Sequence, residues 1–308
     1  MAYGIALAGG GTRGAAHVGV LMALEEAGLY PRSVAGTSAG SIVAGLYAAG
    51  MPVEEMARLV QKLTKRGIFL IDPDYLGILA SIAELFVTRN ISLSGFIKGN
   101  RLERFLDRII ESGNIEDLPM KTVIPAVDLL SGNTVVYTNA GEPLREIERV
   151  QWKYSGPLCG IIRASSAVPA VFQPKQMDGM CLVDGGVTDV LPVDLLIAAG
   201  EESVLAVDLS EEYEMPDSHN IIEIASHSLT IMESRLRGYI SSGEKLMLHP
   251  QLPKNAGLLA FGSMEACMEA GYQAAKAMVP AMKTLFGEEC ENWHSAKGAG
   301  QGLAAKGQ

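Results

Sequence analysis

The amino-acid sequence predicts an α/β fold with a parallel sheet. Two observations lead there. Over the first 65 residues, short apolar runs alternate with stretches of helical period. Each of the first two apolar runs also ends in a glycine-rich turn. The first is Gly9-Gly10-Gly11-Thr12-Arg13-Gly14 and the second is Gly36-Thr37-Ser38-Ala39-Gly40.

Residues 3–8 read as a short buried strand. Residues 15–27 have helical period, with Val18, Leu21, Met22 and Leu24 on one face and Gly28 as the C-cap. Residues 33–35 form the second strand. Residues 41–49, rich in alanine and glycine, form a helix suited to close packing on a sheet. Pro52-Val53-Glu54-Glu55 opens another helix, with proline near its start and acids in its first turn.

Residues 68–100 break this rhythm. Residues 68–71 and 76–87 are apolar and read as a core helix with its loops; the alternative is an apolar cap over an active site, handling acyl chains. Residues 101–110 form an amphipathic helix. Residues 122–129 and 133–138 pair as a hairpin through Leu130-Ser131-Gly132. A helix over 158–165 precedes a strand over 180–183, which ends in Asp184-Gly185-Gly186. A helix over 193–199 and a strand over 203–209 follow. A strand over 246–249 separates long helices over 219–242 and 264–285. With no internal repeat and no Pro/Ser-rich linker, one domain is expected over 1–294. The small, polar, glycine-rich stretch 295–308 is expected to be disordered.

Hydrophobic residues make up 48% of the chain, ample for a core. Asp72, Asp74 and Glu84 interrupt the longest apolar stretches, which are too short to span a bilayer. A net charge of −10 argues against a broad nucleic-acid surface, and it leaves lipid attraction to a local patch. The first residues lack the basic and apolar regions of a signal peptide. A soluble, cytoplasmic protein is expected, with peripheral membrane contact open to it. Cys159, Cys181, Cys267 and Cys290 have no C-x-x-C spacing and read as free thiols in a reducing compartment. Neither a structural zinc site nor a cofactor is expected.

Gly36-Thr37-Ser38-Ala39-Gly40 is a G-x-S-x-G pentapeptide between strand and helix, the setting of a nucleophile elbow. Gly36 and Gly40 remove Cβ atoms that would clash there. Ser38 is thus the candidate nucleophile, against the plainer reading of a glycine-flanked turn. The loop from Gly9 through Gly10, Gly11, Thr12, Arg13 and Gly14 is the candidate oxyanion hole. Its backbone N–H groups and the following helix N-terminus favour negative charge. Gly9, Gly11 and Gly14 also match the dinucleotide-binding fingerprint G-x-G-x-x-G. That rival needs an acid at the end of the second strand to hold a ribose, and Gly36-Thr37-Ser38 stands there instead.

Asp184, with Gly185 and Gly186 behind it, is the candidate base; the plainer reading is a D-G turn. At its reference pKa of about 3.9 an aspartate is a poor base. To act on serine it needs a partly dry pocket and close contact with Oγ. The histidines are His17, His219, His227, His249 and His294. A Ser-His-Asp triad of α/β-hydrolase order would draw on His219, His227 or His249, none of which has a recognisable flanking motif. An elbow after only the second strand speaks against that order. His17, one turn past the glycine loop, reads as packing or loop support. Arg13 either orients the loop or meets an anionic head group.

Three elements therefore stand in one order: GGGTRG, GTSAG and DGG. Together they resemble the patatin-like phospholipase family, bacterial members in particular. Ala164-Ser165-Ser166-Ala167-Val168-Pro169 resembles that family's A-S-x-x-x-P block, and Lys98-Gly99-Asn100-Arg101-Leu102 is similar to bacterial members. The resemblance covers residues 3–285. It implies a three-layer α/β/α sandwich around a mainly parallel sheet and a Ser38–Asp184 dyad without catalytic histidine. It also implies hydrolysis of phospholipids or other acyl esters with no metal or cofactor. In one departure Val190 stands where many members carry asparagine, two residues before Pro192, so local support of the acid is expected to differ.

Overall fold

A computed structural model of the chain describes residues 2–88, 94–210 and 243–287, with isolated positions between 224 and 235. The first unit is β1 (Gly4–Leu7), α1 (Ala15–Glu26), β2 (Ser33–Gly36) and α2 (Ala39–Ala48). Next come α3 (Val53–Arg66), α4 (Tyr75–Thr88), α5 (Asn100–Ile109), β3 (Lys121–Asp128), β4 (Thr134–Thr138) and β5 (Val150–Lys153). Then follow α6 (Leu158–Ser165), β6 (Lys175–Met177), β7 (Met180–Asp184), α7 (Val193–Ala198), β8 (Val204–Val207), β9 (Leu246–Leu248) and α8 (Met264–Phe286).

Seven strands run in the order β5-β4-β3-β2-β1-β8-β9, with β7 added to β3 and β6 to β7. The pairs β1–β2, β2–β3, β1–β8, β8–β9 and β4–β5 are parallel; β3–β4, β3–β7 and β6–β7 are antiparallel. The sheet is thus mainly parallel, and β1, β2 and β8 are buried along their whole length.

Helices cover both faces, as strand alternation makes visible. A Cβ on Gly4, which pairs with Ser33, would meet Leu196 of α7. Gly36 lies three residues beyond Ser33, so it faces the other way, and a Cβ there would meet Gly40 in α2. This is the expected three-layer α/β/α arrangement. Helix α1 is buried on nearly every side, from Ala15 to Leu24, which is broader than the one apolar face its period suggests. The added cover is α8, which packs along it; Phe286 of α8 stacks on Tyr3 with ring centroids 4.4 Å apart.

The chain leaves β1 toward β2 on one side and returns to β8 on the other. The crevice outside the carboxyl ends of such strands is where α/β sheets bind ligands. The glycine loop leaves β1 there and the elbow leaves β2.

One reading of residues 68–100 needs correction. The core helix is α4, but Tyr75, Leu76 and Leu79 are exposed by 70%, 77% and 64%. Strands β5 and β6 carry no clear alternation and were not expected; they are short and only partly buried, so little in their residues marks them. The helix expected over 219–242 falls outside the described residues apart from isolated positions, as does the tail 295–308. Cys159, Cys181 and Cys267 are free thiols, as expected; Cys290 lies outside.

Candidate active site

Ser38 is the N-cap of α2 at φ 54°, ψ −123°, a left-handed backbone uncommon for a residue with a side chain. The turn closes this tightly because Gly36 and Gly40 lack Cβ atoms. One on Gly36 would strike the Gly40 carbonyl, and one on Gly40 would strike that of Leu7. The strained residue is clamped through its backbone. Its N–H donates to Ser165 Oγ at 3.1 Å. Its carbonyl accepts from Ser166 Oγ at 3.2 Å and from Ser41 Oγ at 2.6 Å.

Asp184 reaches the same place by strand pairing. One edge of β3 is covered by β4 through residues 123–127. The other edge is shared: β2 pairs with residues 121–123, and β7 enters from the opposite direction to pair with 126–128. The two strands therefore lie end to end, so that β2 leads into the elbow where β7 stops at Asp184. Pro125, which has no N–H to offer a ladder, sits at the junction. Ala167, two residues beyond Ser165, accepts the Asp184 N–H at 3.0 Å. The block from Ala164 to Pro169 thus holds both candidate residues.

Asp184 is 5% exposed. Its Oδ1 accepts the Gly186 N–H at 2.8 Å, while Oδ2 has no hydrogen-bond partner among the described residues. Burial pushes its pKa up to about 7, against the opposing pull of the Ser38 hydroxyl and the Gly186 N–H. The Ser38 hydroxyl is near enough to favour the charged form without closing a hydrogen bond to Oδ2.

The glycine loop does not offer all its donors. Gly9 N–H donates to Val190 O at 2.9 Å, and Arg13 N–H to Gly10 O at 3.2 Å. Thr12 N–H faces the carbonyls of Gly257 and Leu258 at 3.3 and 3.2 Å, and its Oγ1 donates to Gly257 at 2.6 Å. Among the described residues the N–H groups of Gly10 and Gly11 have no acceptor. Gly10 and Gly11 thus keep N–H groups open to an outside acceptor, while Gly9, Thr12 and Arg13 do not. Arg13 turns inward, its Nε donating to Gly10 O at 3.1 Å, which fits loop orientation.

Residues 5–197 hold the loop, the elbow, the serine block and Asp184, and they match the family model for patatin-like phospholipase. The chain belongs to the patatin-like phospholipase family. An uncharacterised NTE family protein of Mycobacterium tuberculosis is 34% identical over 207 residues, which are 67% of this chain and 48% of that protein. Lysophospholipase NTE1 of Mycosarcoma maydis is 29% identical over 301 residues, 89% of this chain and 14% of that protein. The chain thus spans about half the length of its mycobacterial relative and a small part of the fungal one. Among solved structures, VipD from Legionella pneumophila covers 91% of this chain and 67% of its own, with 14% identity and a TM-score of 0.45.

In this patatin-like chain the backbone at Val190 serves the glycine loop and the elbow. Val190 O accepts from Gly9, and Asp189 O accepts from Thr37 Oγ1 at 2.9 Å, so adjacent carbonyls tie the glycine loop to the elbow. The Asp189 side chain is buried, and desolvation with Asp194 nearby raises its pKa well above the usual carboxylate range.

His17 gives the loop support expected of it. Its Nε2–H donates to Ala8 O at 2.8 Å, just before Gly9, and burial lowers its pKa to about 4. His249 Nδ1 lies 3.4 Å from Asp208 Oδ2. Among the described residues no histidine is hydrogen-bonded to Ser38 or Asp184; His219, His227 and His294 lie outside them. No group of three or more His, Cys, Asp or Glu among the described residues is arranged to hold a metal ion.

Sequence reasoning singled out Lys98-Gly99-Asn100-Arg101 without a role. Asp72 accepts the N–H of Gly99 at 2.7 Å and of Arg101 at 3.1 Å, fixing the start of α5. Arg163, buried on α6, donates through Nη2 to Lys98 O and Gln173 O, both at 2.7 Å. It was missed because its partners are backbone carbonyls distant in sequence.

Proposed function

We propose that the chain is a serine lipid acyl hydrolase working through Ser38 and Asp184. The observation that carries this reading is the dry Asp184 carboxyl beside Ser38, with Oδ2 unoccupied and a pKa near neutrality. A base matched to the working pH is what a serine hydroxyl requires. Asp184 Oδ2 takes the Ser38 proton as Oγ bonds to the ester carbonyl carbon. Charge gathers on the carbonyl oxygen, where the free N–H groups of Gly10 and Gly11 act as oxyanion donors. The tetrahedral adduct collapses, the C–O bond to the alcohol breaks, and protonated Asp184 returns its proton to the leaving oxygen. Water then attacks the acyl-serine with Asp184 again as base. This releases the fatty acid and restores the Ser38 hydroxyl.

Membership of a family of patatin-like phospholipases supports a phospholipid, lysophospholipid or related acyl ester as substrate. Similarity to a protein named lysophospholipase points the same way. A cytoplasmic protein with peripheral membrane contact fits that chemistry. Among the described residues no helix is long and apolar enough to cross a membrane. The rival pyrophosphate cradle is disfavoured, because Gly9, Thr12 and Arg13 already use their N–H groups.

Labelling with a fluorophosphonate probe and hydrolysis of a soluble nitrophenyl ester test the assignment. Wild type is expected to label and turn over, and Ser38→Ala to do neither. Unchanged ester hydrolysis by Ser38→Ala would remove Ser38 from the mechanism. A loss of several orders of magnitude in His219→Ala, His227→Ala or His249→Ala would favour a triad.

A further inference from the structure

We propose that the exposed apolar face of residues 68–79, with its rim of basic side chains, docks the protein on an anionic lipid surface. Among the described residues, five of the thirteen large apolar side chains that are exposed fall within these twelve residues. Ile68 and Phe69, 58% and 70% exposed, lie on the turn after α3. Leu79 follows Tyr75 by four residues and Leu76 by three, so each of them shares a side of α4 with it. A surface helix normally turns its apolar stripe inward. Here Ser81 is buried while Leu76 and Leu79 face out, so this part of α4 is turned the other way. Apolar side chains exposed singly need no explanation, but five within twelve residues do.

The face is held in place. Asp74 accepts the Gly77 N–H at 3.1 Å at the start of α4, and it also binds Lys98 Nζ at 3.0 Å and Gln173 Nε2 at 2.8 Å. Arg163 grips the carbonyls of Lys98 and Gln173 from α6, the helix whose Ser165 bonds to Ser38. A continuous set of bonds therefore joins the face to the candidate nucleophile.

Charge selects the occupant. Residues 58–104 contain eight basic and four acidic residues, in a chain of net charge −10. Of those acids Asp72 is buried and Asp74 is paired with Lys98. Lys62, Lys65 and Arg66 are exposed near the end of α3, just before Ile68. Arg101, also exposed, bonds to the carbonyls of Phe69 and Ile71 at 3.4 and 3.0 Å. An apolar centre with a basic rim matches acyl chains beneath anionic headgroups. A second copy of the chain would set two basic rims and two negative molecules against each other. The choice of lipid rests on the acyl-hydrolase reading; the docking itself is measured independently of catalysis.

The test is co-sedimentation with vesicles of phosphatidylcholine and phosphatidylglycerol, and with vesicles of phosphatidylcholine alone. Wild type is expected on the mixed vesicles and far less on the neutral ones. Phe69→Ser/Leu76→Ser/Leu79→Ser should bind the mixed vesicles at least tenfold less, and Lys62→Gln/Lys65→Gln/Arg66→Gln should lose the preference for anionic lipid. In a second measurement, Leu76→Trp should give new fluorescence that is quenched by lipids brominated on their acyl chains. Wild-type binding by the serine variant, or no quenching in Leu76→Trp, overturns the proposal. So does a serine variant that keeps its vesicle binding but changes oligomeric state in lipid-free solution, which would make the face a self-interface. Hydrolysis of a soluble ester should be unchanged in the serine variant. If wild type binds vesicles but cleaves no ester, the hydrolase reading fails and the docking surface stands.

Discussion

The hydroxyl of Ser165 accepts the backbone N–H of Ser38 at 3.1 Å, at the one point where the elbow is strained. Holding a non-glycine residue in such a conformation costs on the order of 1–3 kcal/mol and persists only when the surroundings over-determine it. Ser166 on the Ser38 carbonyl completes the restraint from the same helix end. On the hydrolase reading proposed above, Ser165 and Ser166 act as positioning residues, fixing the backbone that carries Oγ.

Ser165→Ala leaves a buried N–H without its acceptor, a loss of roughly 1–3 kcal/mol. The expected result is a tenfold or greater fall in kcat on a soluble ester, with KM little changed, and a lowered Tm. Ser165→Thr keeps the hydroxyl and should recover much of the rate. Equal kcat in the alanine variant and wild type would mean that the elbow holds itself.

Gly11 has φ 59°, and a Cβ there would lie 2.6 Å from the backbone of Leu258. Gly11→Ala must displace either the loop or the 257–258 segment that Thr12 binds. With an oxyanion donor misplaced, kcat should fall by about 10²–10³. Fluorophosphonate labelling of Ser38, measured as a rate, should slow in parallel.

The carboxyl of Asp184 titrates near 7 in the folded chain against 3.8 as an ordinary side chain. The folded protein thus keeps a proton that the unfolded chain has lost across that interval. Stability should fall as pH rises through it, by about 4 kcal/mol at ~1.4 kcal/mol per unit. Asp184→Asn removes this penalty: the variant should be inactive yet more stable than wild type at about pH 8. His17 works in the opposite sense. Its pKa is lowered from 6.5 to about 4, so the unfolded chain gains a proton first on acidification, and stability drops as pH falls through that window. Urea unfolding across the pH range should show the His17 limb clearly in Asp184→Asn. The acid limb of kcat/KM in wild type should have an apparent pKa near 7, because only charged Asp184 accepts the Ser38 proton.

Much of the candidate site was legible in the sequence because its signals are local. Gly36 and Gly40 flank Ser38 within five residues, the glycine loop is one continuous turn, and Asp184 carries its two glycines with it. Helix period likewise marked α1 and α5 close to their observed bounds, small residues marked α2, and Pro52 with its following acids marked the start of α3. The short strands β5 and β6 left no such trace, since a partly buried edge strand needs little alternation.

Those local patterns determined the type of turn at Ser38, the glycine loop ahead of it and the identity of the candidate acid. Only the tertiary structure decided that the acid meets the serine, because β2 and β7 share one edge of β3 from opposite ends. It also decided which loop donors stay free, since Val190, Gly257 and Leu258 take those of Gly9 and Thr12. The pKa of Asp184 and the outward turn of Leu76 and Leu79 belong with these. Each depends on what lies around a side chain rather than on its neighbours in sequence. Desolvation and cover come from segments brought together only when the sheet has formed.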